Sequence, residues 1–149
     1  MHELKYKHFV TEDEILRLFS IKAFAEIVEL PVSIFDNKEL SALEAICKYL
    51  KEELGLRYSE IAKLLNRDQR TVWVTYNNSV KKRKQRLVVK DSIYKIPVSI
   101  FKDRKFSVLE ALVSYLRDNY NLRYIEISKL LNRDERNIWG VYDKAKKKA

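Results

Sequence analysis

The chain repeats itself. Shifted against itself by 66 residues, Ile27 to Lys82 aligns with Ile93 to Lys148 without a gap, and 28 of the 56 pairs are identical. The first copy reads PVSIF, then LSALEAICKYL, then LRYSEIAKLLNRDQRTVWVTY; the second reads PVSIF, FSVLEALVSYL and LRYIEISKLLNRDERNIWGVY. Two such units could begin a solenoid, but a solenoid needs about three repeats to stand. The expected organisation is two tandem domains, each closing its own core. An N-terminal segment spans 1–26, the first domain 27–82, a basic linker 83–92 and the second domain 93–149.

What each unit can be is narrowed by its residues. With 2 Gly and 2 Pro in 149 residues, loop-rich all-β architectures are disfavoured and a phosphate-cradling glycine loop has no material. A hydrophobic content of 46% is enough for packed cores, so the expected class is all-α. The single cysteine, Cys47, excludes an internal disulfide framework and a multi-cysteine zinc site. His2 and His8 are the only histidines, and no nucleophile, base and orienting group appear together, so neither catalysis, a metal nor a cofactor is expected. No apolar run approaches the roughly 18 residues of a membrane span, and the start lacks a signal peptide's pattern. The expected setting is the cytoplasm, away from membranes. The net charge of +9 points to an anionic partner, and +6 of it lies on the second copy.

Each unit reads as three helices. Ser41 with Glu44, and Ser107 with Glu110, have the spacing of a capping box, and they open a first helix. Its buried stripe is Leu43, Ile46, Cys47, Leu50 and Leu54, matched by Leu109, Leu112, Val113, Leu116 and Tyr120. Cys47 corresponds to Val113 and so reads as a small core hydrophobe. A second helix carries Ile61, Leu64 and Leu65, or Ile127, Leu130 and Leu131, and stops at Asn66 or Asn132. After glycine, asparagine best tolerates the left-handed conformation that ends a helix, and Asp68 or Asp134 then caps a third. The third helix turns Val72, Tyr76 and Ser79 inward, or Ile138, Tyr142 and Ala145, with Trp73 and Trp139 on the edge of that stripe. Thr11 to about Glu26 forms a further expected helix with no counterpart in the second copy. Each PVSIF reads as extended chain against its own helical unit, not as a central strand.

Helix, three-residue turn, helix, preceded by a supporting helix, is an arrangement that places one helix in the major groove of DNA. The residues Glu60-Ile61-Ala62, Leu65, Asn66, Asp68 and Arg70-Thr71-Val72, with Glu126-Ile127-Ser128, Leu131, Asn132, Asp134 and Arg136-Asn137-Ile138, resemble the helix-turn-helix of the sigma-factor region 4 and LuxR-type group. The resemblance covers about 20 residues per copy and implies two tandem three-helix DNA-binding domains. Departures are Arg67 or Arg133 in the middle of the turn, usually apolar in that group, and Arg57 or Arg123 where a capping Ser or Thr is usual. The stem of Arg67 or Arg133 is expected to cover the core while its charge reaches solvent. A cation at a helix N-terminus opposes the dipole, which suggests a phosphate near Arg57 and Arg123.

Opposite the buried stripe of the third helix lie Gln69, Arg70, Val74 and Asn77 in the first copy, and Glu135, Arg136, Gly140 and Asp143 in the second. These are the candidate base contacts. Arg70 and Arg136 lead them, because arginine can bond guanine O6 and N7 together. Candidate phosphate contacts are Arg57, Arg67, Lys81, Lys82, Arg83 and Lys84, with Arg123, Arg133, Lys146 and Lys147. The expected function is a sequence-specific double-stranded DNA-binding regulator, a monomer with a built-in pseudo-dimer that reads two half-sites. Homodimerisation is the alternative oligomeric state. The competing function is a helical interaction module that docks on a partner such as RNA polymerase. The relative orientation of the half-sites is left open.

Overall fold

A computed structural model of the chain describes residues 27–149. The helix expected from Thr11 to Glu26 lies outside the described residues. The first repeat runs through β1 (Glu29–Pro31), a 3-10 turn (Val32–Phe35), α1 (Ala42–Glu52), α2 (Tyr58–Leu65) and α3 (Gln69–Lys82). The second follows the same order with β2 (Lys95–Pro97), a 3-10 turn (Val98–Lys102), α4 (Val108–Tyr120), α5 (Tyr124–Leu131) and α6 (Glu135–Lys148). The fold is all-α, and the one sheet among the described residues is the pair β1 and β2.

The helix boundaries follow local chemistry. The Ser41 hydroxyl accepts from the Glu44 N–H at 3.2 Å while the Ser41 N–H donates to the Glu44 carboxylate at 2.9 Å, and Ser107 with Glu110 repeats both bonds. Asn66 and Asn132 end α2 and α5 at φ 51° and 53°, in the left-handed region. The carboxylates of Asp68 and Asp134 then accept the backbone N–H of Arg70 and Arg136 at 3.1 and 2.8 Å. Most of the expected stripes is buried: Ile46, Cys47, Leu50, Ile61, Leu64 and Leu65 have no exposed surface, nor have Leu112, Val113, Leu116, Ile127, Leu131 and Ile138, while Leu43, Leu54, Leu109, Tyr120 and Leu130 are half-buried at the margin.

The two copies do not close separate cores. Leu30 and Ile96 are fully buried opposite each other in the antiparallel pair β1 and β2, and one hydrophobic cluster runs through both repeats. The VSIF residues after each proline form 3-10 turns that pack on the other repeat as well as their own. Val98–Lys102 lies against α2, Val32–Phe35 lies against α5, and α1 meets α4. PVSIF is therefore a seam rather than a flank of its own unit. Pairing the strands satisfies backbone groups that a single extended segment would leave open.

The basic linker is packed too. Leu87 is buried in the shared core, the Arg86 guanidinium bonds the Glu53 carboxylate and the Glu52 carbonyl, and the Lys90 N–H donates to the Ser33 hydroxyl. Ile34, Leu40, Ala45 and Lys48 are buried in the first repeat. In the second repeat the corresponding Ile100, Phe106, Ala111 and Ser114 line a groove of about 310 Å³.

Candidate nucleic-acid interface

The turn and the third helix form a capped platform in each repeat. On α3, Val72 and Ser79 are buried and Tyr76 half-buried; on α6, Ile138 and Ala145 are buried and Tyr142 half-buried. Two tyrosine hydroxyls fix the inner faces. Tyr76 donates to Glu52 at 2.9 Å, and Tyr142 donates to Asp118 at 2.7 Å, with the Tyr58 and Tyr124 rings tilted against theirs at 6.0 Å. Burial and the Glu52 carboxylate push the Tyr76 hydroxyl up to about 12, so it remains a donor at neutral pH.

The outer edge of each platform is exposed. Gln69 and Arg70 on α3, and Glu135 and Arg136 on α6, all lie on the surface in the first turn of their helices. Val74 is 42% exposed and Gly140 half-buried. Asn77 and Asp143 are tied to their own helices: the Asn77 amide donates to the Trp73 carbonyl at 2.8 Å, and Asp143 pairs with Lys147 at 3.0 Å. Trp73 and Trp139 are not on the packed edge. They are 52% and 56% exposed, and Trp73 flanks a shallow surface hollow with Tyr58, Gln69 and Arg70.

The candidate phosphate contacts divide. Arg57 and Arg123 are exposed at the starts of α2 and α5, and Lys81 and Lys84 are exposed at the end of α3 and just beyond it. The cation at each helix start is offset from within: Glu60 and Glu126 accept the backbone N–H of Arg57 and Arg123 at 2.8 Å, and Glu126 also lies 3.3 Å from the Arg123 Nε. No phosphate is needed to explain those arginines. Four others are in ion pairs: Lys82 with Glu44, Arg83 with Glu39, Lys146 with Asp118 and Lys147 with Asp143. The pairs of Lys146 and Lys147 are exposed on both sides and worth about 0–1 kcal/mol, so a phosphate could still compete for these two lysines.

Arg67 departs from expectation. Half-buried, its guanidinium donates through one nitrogen to the Leu65 carbonyl at 2.8 Å and, across the seam, to the Phe101 carbonyl at 3.3 Å, so its charge is partly drawn into the seam. Burial and the nearby like charge of Arg104 lower its pKa. The Asn66 amide donates to the Lys102 carbonyl at 3.0 Å beside it, so the turn that leads into α3 is pinned to the other repeat. Arg133 is half-buried and lines the corresponding crevice with Asp36 and Lys38.

Sequence reasoning passed over the carboxylates that meet the basic runs. Glu44 meets Lys82 and Glu110 meets Lys148, a pair present in both copies at the same offset. That repetition was the available signal. Lys48 gave none: it is fully buried with its Nζ 3.0 Å from Glu52, and its counterpart is Ser114. Among the described residues, no group of three or more His, Cys, Asp or Glu could hold a metal ion, and no helix is long and apolar enough to cross a membrane.

No protein-family model matches the chain, and neither a curated protein nor a solved structure matches it.

Proposed function

We propose that this is a sequence-specific double-stranded DNA-binding protein, a cytoplasmic transcriptional regulator that reads two half-sites with α3 and α6. The observation that carries the reading is the arginine-bearing edge repeated in both units. A three-residue turn, an aspartate cap and a buried inner stripe leave Arg70 and Arg136 exposed in the first turn of a helix. That is the part of a recognition helix that meets base edges. The net charge of +9 supports it, as does the likeness of the turn to the sigma-factor region 4 and LuxR-type group.

Selection from random duplexes, repeated at two salt concentrations, tests the reading. An enriched motif is expected, with affinity that falls by about 0.9 log unit per contacted phosphate for each log unit of salt. Binding that depends on salt but enriches no motif would reject sequence-specific readout.

The competing reading is an interaction module for a partner such as RNA polymerase, and the exposure of Trp73, Val74 and Trp139 favours it. If it holds, Trp73→Ala weakens partner binding while Arg70→Ala leaves duplex binding unchanged.

A further inference from the structure

The repeats face each other through an exchange, and that exchange restricts what they can grip together. In the strand pair, Leu30 lies opposite Ile96, which is the same position of each repeat; the neighbouring pairs, Glu29 with Pro97 and Pro31 with Lys95, are one pair swapped. The helices obey the same rule. α2 packs on the second 3-10 turn as α5 packs on the first, and α1 meets α4, its own counterpart. Repeats stacked by translation bring a position beside its own counterpart only where the strands run parallel, and β1 and β2 run antiparallel. A two-fold relation does so in an antiparallel pair, because an isologous interface uses the same patch on both sides.

The exchange extends to the candidate recognition helices. Asn66 and Arg67, in the turn that leads into α3, bond the carbonyls of Lys102 and Phe101 in the other repeat. The turn before α6 shares a crevice with Asp36 and Lys38, which correspond to Lys102 and Arg104, and α5 beside it packs on Val32–Phe35. Each platform is thus set by the opposite repeat, and the linker adds no slack, since Leu87 is buried and Arg86 is bonded to Glu53.

We infer that the DNA site engaged by both units at once is an inverted repeat with one fixed spacing and two unequal arms. The inference rests on the DNA-binding reading above. Duplex DNA has two-fold axes perpendicular to its length, so two-fold related helices meet half-sites that run in opposite directions. The spacing is fixed because the seam, not a loose connector, sets the distance between the helices. The arms differ because Glu135 and Gly140 stand where the other helix has Gln69 and Val74. Glutamate accepts from cytosine N4, whereas glutamine pairs with adenine.

The test takes the intact chain and the best duplex from random selection, then reverses one arm or inserts two to five base pairs between the arms. Each change is expected to weaken binding at least tenfold, and Glu135→Gln is expected to shift the preference of one arm only. Equal affinity for inverted and direct arrangements, tolerance of any spacing, or enrichment of a solitary arm would overturn the inference while leaving sequence-specific binding intact. Failure to enrich any duplex would remove the DNA-binding reading and this inference with it.

Discussion

Arg70 is exposed and Cys47 fully buried in the first repeat, and each carries a direct test. Arg70 is exposed at the start of α3 with its backbone N–H held by Asp68. Arg70→Ala is expected to cost about 1–3 kcal/mol of binding to the selected duplex and to relax preference at one base pair, as measured by titration against single-substitution duplexes. An unchanged curve would count against a base-reading role. Cys47 has no exposed surface, and burial pushes its thiol up to about 12. Being neither accessible nor ionised at pH 8, it is expected to react with a disulfide-exchange reagent only as the protein unfolds. Immediate labelling without denaturant would contradict its placement. Both residues were legible in the sequence, one from its position after a cap and the other from its match to Val113. Arg67 was not, because the Phe101 carbonyl it meets lies across the seam and no local pattern announces such a partner.

At the scale of elements, the caps and stripes that define the helices are short-range, so α1 to α6 could be read from spacing alone. Asn132 tests one such boundary. It holds a left-handed conformation at φ 53°, which glycine adopts without cost and alanine does not. Asn132→Ala should lower unfolding stability by about 1–2 kcal/mol, while Asn132→Gly should be close to neutral; equal effects would remove the conformational explanation. The ion pairs between elements set the acid response. Burial alone would raise the Glu110 carboxyl, but hydrogen bonds from Lys148 and from the Ser107 N–H outweigh it and hold the group below its ordinary value. At Asp118, burial is likewise outweighed by hydrogen bonds from Lys146 and Tyr142. Carboxyls held lower when folded than when unfolded contribute stability above the unfolded value, and lose it as pH falls through the folded one. The thermal midpoint should be nearly flat from about pH 7 to 5 and fall below about pH 4, with a smaller fall in Glu110→Gln. A midpoint that rises on acidification would reverse the assigned sign.

For the whole molecule, the decisive contact was the least legible. β1 and β2 have three residues each and contain a proline, and the central pair of their ladder, Leu30 with Ile96, joins positions 66 residues apart. Neither length nor composition marks them as strands, and register over such a distance is a property of the folded core. The seam implies a single cooperative transition. Leu30→Ala, at full burial, should cost about 2–5 kcal/mol and lower the stability of both repeats together, as followed by denaturant titration with residue-resolved probes in each repeat. Loss of the first repeat with the second left at its original midpoint would show that the cores are separate after all. Because Leu30 faces its own counterpart, the polypeptide has the form of a homodimer whose subunits became one gene product. Identical subunits must change in step, whereas fused ones need not. Covalent joining is what allows Glu135 and Gln69 to stand at matching places while a common scaffold supports both.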